Sequence, residues 1–212
     1  VGKSDGMERL VYHSGAFGAV LQKGKTVAGG DAPLNMVGET GTGKTLLAHA
    51  CYSLSRRTKE LCTVVDCQAM KSDGMEVLLF GSTNRPGVIE LNQSGTLFLS
   101  HIEFMSNHIR SKFLQHLKQQ VKGQCVRVMV SSAQKLLNHQ QAGKLIHELV
   151  LLMDVLRIDV LPLSDRTEDI EPLMQYFLNQ FNQQLGQNMA FSLDAVAKMK
   201  RYYWPGNASQ LR

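Results

Sequence analysis

The sequence predicts an α/β domain with a largely parallel sheet, followed by a shorter helical piece. Three observations carry this prediction. Short apolar, β-prone runs alternate with longer helical patterns along the first 160 residues or so. A glycine loop, GETGTGKT at residues 38–45, lies between one such run and a helical pattern. The composition then changes at Leu161-Pro162-Leu163-Ser164-Asp165, after which only helical patterns and turns follow.

Each element rests on its own residues. Leu34 to Val37 is a short strand entering the glycine loop, and Thr45 to Leu54 leaves it with helical periodicity. Thr63 to Val65 is a second strand, and Thr96 to Leu99, opened by a Gly-Thr turn, a third. A helix of mixed face, roughly Ser106 to Gln120, separates it from a fourth strand, Val126 to Ser131. Leu156 to Val160 is a fifth. Beyond the composition change come a helix around Ile170 to Leu185, a Gly-Gln-Asn turn and a helix from Leu193 to Tyr202. Trp204-Pro205-Gly206-Asn207 then makes a hard turn, with Asn207 placed to cap whatever helix follows. The chain thus stops at the start of an element, and more protein is expected beyond Arg212 and before Val1.

Composition narrows the function classes. An apolar content of 43% with 19% charged residues is that of a globular chain with a sizeable core. The longest apolar stretch, Leu149 to Leu156, is broken by Asp154, so no membrane span is expected, and VGKSDGMERL has no apolar signal-peptide region. A cytoplasmic protein is the expectation. Cys51, Cys62, Cys67 and Cys125 have neither CxxC nor metal-ligand spacing and read as free thiols. The net charge of +5 is mild, and Arg56-Arg57-Thr58-Lys59 and Lys198-Met199-Lys200-Arg201 read as solvated faces rather than a nucleic-acid footprint. The ten methionines are scattered, as core gap-fillers would be.

The chemistry sits in the loop. Gly38-Glu39-Thr40-Gly41-Thr42-Gly43-Lys44-Thr45 fits G-x-x-x-x-G-K-[ST] at every fixed position. Its glycines let backbone N–H groups curl around phosphate oxygens at the positive end of the following helix. Lys44 would reach the β and γ phosphates, and the Thr45 hydroxyl would take a magnesium site. The strand that should complete such a site, GTLFL at 95–99, ends in Ser100 and His101, where a nucleotide hydrolase needs an acid for magnesium and another for water.

Nearly end to end, the chain resembles the central AAA+ domain of bacterial enhancer-binding proteins, the NtrC-like activators of sigma-54 RNA polymerase. The resemblance is carried by VGKS at 1–4, GETGTGKT, LLFG at 78–81, GVIEL at 87–91, GTLFL at 95–99, LPLSDRTEDI at 161–170 and YYWPGN at 202–207. It implies an AAA+ P-loop core over residues 1–163 and part of a helical lid over 164–212. It implies a site for ATP or ADP formed by Val1, Gly2, Gly38, Glu39, Thr40, Gly41, Thr42, Gly43, Lys44, Thr45 and Leu46, with magnesium at Thr45. It also implies a homo-oligomer, RNA polymerase as a partner, and a receiver-like domain and a DNA-binding helix-turn-helix lying outside this chain.

The departures from that family bear on mechanism. The family's strand-end Asp-Glu falls on Ser100 and His101, its sensor Asn on Ala133, its sensor Arg on Ser209, and its two arginine fingers on Ile146 and Leu152. The Asn that couples nucleotide state to the catalytic Glu falls on Asp66. Between Gly81 and Gly87, where the activators carry the loop that touches sigma-54, stand only Ser-Thr-Asn-Arg-Pro, too few to hold it. A positioned base contributes about 10² to 10⁴ in rate, and an arginine finger about 10³ to 10⁵. Phosphate cradling needs only the loop, Lys44 and a helix N-terminus.

A degenerate member is therefore expected: a regulator's AAA+ domain that binds nucleotide and assembles, without useful hydrolysis, and acts with the housekeeping form of polymerase. A working ATPase with unorthodox residues is one alternative. A cyclic di-GMP sensor, of the kind some relatives governing flagella or biofilm contain, is another, although His49-Ala50 and Tyr176 to Gln180 replace the arginine-rich positions used there. His101, His108 and His116 lack a carboxylate or Cys to complete a metal set. Asp66 and Glu103 lie near the expected site in sequence order, but a substitute acid must be placed within about an ångström.

Overall fold

The structure, a computed structural model, describes residues 10–119, 126–133, 148, 153 and 155–212. Its centre is a five-stranded parallel sheet in the order β2-β5-β6-β1-β7. The strands are β1 (Leu34–Val37), β2 (Cys62–Asp66), β5 (Thr96–Ser100), β6 (Arg127–Ser132) and β7 (Leu156–Asp159). The middle strands β1, β5 and β6 are buried along their whole length, as expected of a sheet covered on both faces.

Strand periodicity assigns side chains to two apolar layers. Leu97 and Leu99 point to one face, where they join Val65, Val128, Val130, Ile109 and Phe113 beneath α3 (Ser72–Phe80) and α5 (Asn107–Gln119). Phe98 and Met129 point to the other, with Leu34, Met36, Phe17, Leu21 and Leu47, beneath α1 (Gly15–Ala28) and α2 (Lys44–Ser53). Fully burying a residue such as Phe98 contributes about 1.5–3 kcal/mol. A third cluster, Leu163, Ile170, Leu173 and Met174, lies under the lid helices α6 (Ile170–Leu185), α7 (Leu193–Arg201) and α8 (Asn207–Leu211).

Register places the site. Val37, the last residue of β1, pairs with Ser132 at the end of β6, and Asp66 pairs with Ser100. The carboxyl ends of β1, β5 and β6 therefore lie side by side in the middle of the sheet, where open α/β folds bind ligands. The expected strands and the helices after Thr45, Ser106, Ile170 and Leu193 are present within a residue or two of their expected bounds. Elements not anticipated are α1, α3, the one-turn α4 (Val88–Leu91) and a hairpin of two-residue strands, β3 (Gly81–Ser82) and β4 (Arg85–Pro86), which takes up the short stretch before Gly87.

Two local expectations are corrected. Asn207 is not the cap of the last helix but its first residue, held in the left-handed region at φ 53°. Its side chain is spent elsewhere, as described below. Arg57 is not a solvated charge: its guanidinium pairs with Asp31 at 2.8 Å and donates to the Ser94 and Gly95 carbonyls, tying the β2 approach to the β5 approach. No helix among the described residues is long and apolar enough to cross a membrane.

Candidate nucleotide site

The loop between β1 and α2 is shaped from behind. Gly43, which precedes α2, has φ 101° and supplies no side-chain cap, so the first N–H groups of the helix remain turned toward the loop's hollow. A Cβ on Gly43 would meet nothing within 4 Å, whereas one on Gly38 would lie 2.4 Å from the Val160 carbonyl oxygen. One on Gly41 (φ 81°) would lie 2.2 Å from the carbonyl oxygen of Gly206 in the lid. The loop is thus clasped on its outer side and open on its inner side.

Its carbonyls are accounted for in turn. Lys44 Nζ donates to Gly38 O at 2.7 Å and to Glu39 O at 2.8 Å. Asn207 Nδ2 donates to Thr40 O at 3.0 Å, the Ala208 amide to Gly41 O at 3.1 Å, and Arg166 to Thr42 O at 2.7 Å. With the Thr40, Gly41 and Thr42 carbonyls drawn outward onto the lid and those of Gly38 and Glu39 taken by Lys44, the loop turns the other edge of its peptides inward, which suits an anion. Burial pushes the Lys44 ammonium below its ordinary pKa, while the charges of Glu103 and Glu39 act to raise it.

The lid supplies three of those ties. Asn207, fully buried, accepts from the Leu163 amide at 2.6 Å and donates also to Glu39 Oε2 at 3.1 Å. Arg166 is buried, lies 4.3 Å over the Phe17 ring and pairs with Asp169 at 3.4 Å. Asp169 in turn accepts from the His13 and Ser14 amides and from Ser14 Oγ, anchoring the start of α1. Burial lowers the Arg166 pKa, with Asp169 acting against that shift. Beside Thr42 and Gly43 these elements enclose an apolar pocket of about 70 Å³, lined by Phe17, Leu46, Leu173, Tyr176 and Phe177 among others.

The strand ends are arranged differently. Ser100 Oγ donates sideways to Val65 O at 3.5 Å, within the sheet. His101 adopts a left-handed conformation (φ 53°, ψ 48°) and turns its ring to Asp66, with Nδ1 3.0 Å from Oδ1. Partial burial pushes the Asp66 carboxyl up, but hydrogen bonds from His101 and the Gln68 amide outweigh it and leave its pKa lowered. The turn at His101 starts a single 3₁₀ turn, Ile102–Phe104, which brings Glu103 against β6. Glu103 Oε1 accepts from the Ala133 amide at 3.2 Å, and its buried Oε2 has no hydrogen-bond partner among the described residues.

Of the residues expected at this site, Gly38 to Leu46 are brought together around the loop, with Thr45 and Leu46 exposed at the start of α2. Val1 and Gly2 lie outside the described residues, as do Ile146 and Leu152. Ser209 packs against Gly41. The three histidines go to separate places: His101 to Asp66, His108 to Glu76 at 3.3 Å, and His116 to α5, where burial lowers its pKa. The sequence reading missed Phe17, Arg166 and Asp169. Their signals were present, an aromatic within GAFGAV and an Arg flanked by acids in SDRTED, but neither has meaning until the lid is folded onto α1.

Residues 10–159 match the sigma-54 interaction domain family, and residues 164–212 match the AAA+ ATPase lid domain. The HTH-type transcriptional regulatory protein TyrR of Salmonella typhimurium is 30% identical over 96% of this chain and 42% of its own length. The Nif-specific regulatory protein of Rhodobacter capsulatus is 32% identical over 97% of this chain and 38% of its own. The chain thus spans less than half the length of either. The crystal structure of NtrX from Brucella abortus in complex with ADP superposes with a TM-score of 0.88 at 30% identity, over 96% of this chain and 49% of that one.

Proposed function

From the premise that the chain belongs to the sigma-54 interaction domain family, an AAA+ fold, we propose that it is the nucleotide-binding module of a transcription regulator, holding ATP or ADP at residues 38–46 without useful turnover. The observation that carries this reading is the contrast between an intact loop and rebuilt strand ends. The Thr40, Gly41 and Thr42 carbonyls are held outward by Asn207, Ala208 and Arg166, and Lys44 takes those of Gly38 and Glu39, which supports peptide N–H groups turned toward phosphates. The apolar pocket beside Thr42 and Gly43 suits a base. NtrX, 30% identical, is described in complex with ADP, which supports nucleotide as the ligand class.

The hydrolytic half lacks its groups. A general base must lie within hydrogen-bond reach of the attacking water, and His101 is committed to Asp66 instead. Ser100 faces Val65. Ala133 and Ser209, at the two sensor positions, offer no long polar or cationic side chain. Magnesium, when bound with a nucleotide, neutralises charge on the phosphate oxygens; Thr45, at the exposed first turn of α2, is the hydroxyl that would hold it. The short hairpin Gly81–Pro86 supports a chain that does not engage sigma-54 as an activator. Phosphate release from ATP by the full regulator, measured beside ADP and ATP affinities, tests the reading: micromolar-range binding with negligible release is expected, and vigorous release contradicts it.

A further inference from the structure

We propose that Glu103 is the carboxylate that holds magnesium at this nucleotide site, replacing the acids that Ser100 and His101 do not provide. The inference rests on the nucleotide reading above and adds a residue to it. Three carboxylates stand at or just past the carboxyl ends of β1, β2 and β5: Glu39, Asp66 and Glu103. Glu39 is engaged by Asn207 at 3.1 Å. Asp66 accepts from the Gln68 amide and faces His101, both at 3.0 Å. Among the described residues, Glu103 alone of the three has a buried oxygen without a partner.

The fold prepares that oxygen. The left-handed turn at His101 starts the 3₁₀ turn that returns Glu103 over the end of β6, and the Ala133 amide fixes one carboxylate oxygen at 3.2 Å. The other is withdrawn from water and has no hydrogen bond from the described residues. A buried, unpaired carboxylate oxygen is costly, and a cation is the group that relieves it. Arg110 feels the Glu103 charge, but its guanidinium donates to Glu103's own backbone carbonyl at 2.6 Å and to Asn107 Oδ1 at 3.0 Å, not to the free carboxylate oxygen. Lys44 feels the Glu103 charge, yet its Nζ donates to the Gly38 and Glu39 carbonyls. A carboxylate beside the phosphate-loop lysine with one free oxygen is what an octahedral, oxygen-seeking cation lacks at Ser100. The same placement leaves hydrolysis unserved, since Glu103 replaces a metal ligand and not the missing base, sensors or fingers.

The test is calorimetric titration of ATP into the full regulator, in EDTA and in excess magnesium, for the unmodified protein, Glu103→Gln and Asp66→Asn. The amide of Glu103→Gln keeps an oxygen for the Ala133 N–H; Glu103→Asp, shorter by one methylene, is the second variant should Glu103→Gln not fold. The unmodified protein and Asp66→Asn are expected to bind ATP about tenfold or more tighter with magnesium than without. Glu103→Gln should lose that preference and bind ATP in EDTA slightly tighter than the unmodified protein, because a charge repelling phosphate has gone. Glu103→Asp should show a reduced preference. An undiminished magnesium preference in Glu103→Gln, or in Glu103→Asp if it alone folds, overturns the inference while leaving nucleotide binding intact. No ATP binding by the unmodified protein in either condition overturns the nucleotide reading with it.

Discussion

The loop at the end of β1 and the turns at the ends of β5 and β6 lie side by side on one sheet edge, yet they tolerate change very differently. The loop works through peptide groups, and its shape is set by hydrogen bonds that cross from the lid and from β6: Asn207, Ala208 and Arg166 to its carbonyls, and the Gly38 amide to Ser132 O at 3.1 Å. Altering it would undo the packing of core against lid. The strand ends work through single side chains rather than peptide groups, so Ser100, itself paired with Asp66, and His101 just past it can stand where acids are needed while all five strands pair. On the proposed reading, binding rests on the fold and turnover on replaceable side chains, so a domain can lose the second and keep the first.

The largest expected effect breaks the loop itself. Lys44→Ala removes the cation that would face bound phosphates and its two hydrogen bonds to Gly38 O and Glu39 O. A hydrogen bond to a charged partner contributes about 1.5–3 kcal/mol, so ATP affinity should fall about 10- to 100-fold in a direct titration. Gly41→Ala attacks the clasp. Its Cβ would lie 2.2 Å from Gly206 O at a φ of 81°, so the lid must move or the loop must deform. A loss of about 2–3 kcal/mol is expected in denaturant unfolding, with faster amide exchange in α8.

Asn207→Ala sharpens the same comparison more gently. It leaves the Leu163 amide and the Thr40 carbonyl without their partner, at a cost of about 1–3 kcal/mol. Nucleotide affinity should weaken with it, because Thr40 O is no longer drawn outward, and titration of the folded variant reads this. Outside the site altogether is a pH effect in the core, confined to alkaline conditions. Burial pushes the Cys51 thiol up to about 11 and the Cys67 thiol up to about 12, from an ordinary 9.0, and raises Cys62 as well. Raised folded values mean a contribution fully present below pH 9 that is lost as pH climbs through 11 and 12. Stability should therefore begin to fall above pH 9, and alkylation of Cys51 and Cys67 in the native protein at neutral pH should be slow.

Much of the sheet was legible because its signals are local. LNMV, TLFLS and RVMVSS are apolar, β-prone and bounded by turn residues, and GETGTGKT has a mechanism at each fixed position. Helix α1 was not, since GAFGAVLQKGKTVA carries three glycines and its stability comes from packing Phe17 and Leu21 onto the sheet and from the cap at Ser14 that Asp169 holds across 155 residues. The destination of Asn207 was hidden for the same reason. A Gly-Asn turn reads as a cap when seen alone, and only the docked lid shows its amide reaching Glu39 and Thr40. Glu103 was visible as an acid near the right place, but its free oxygen depends on a left-handed His101, and nothing in the sequence forces a histidine into that region.

The most direct test of a site that holds a nucleotide without turning it over is a single calorimetric titration of ATP with magnesium, followed past saturation. Binding heat and hydrolysis heat separate in the same cell, because binding decays after each injection and turnover displaces the baseline for as long as substrate remains. The account predicts a saturating isotherm whose baseline returns to its starting level. A baseline that stays displaced in proportion to enzyme concentration would show sustained hydrolysis, and it would mean that Ser100, His101, Ala133 and Ser209 do not disable the site.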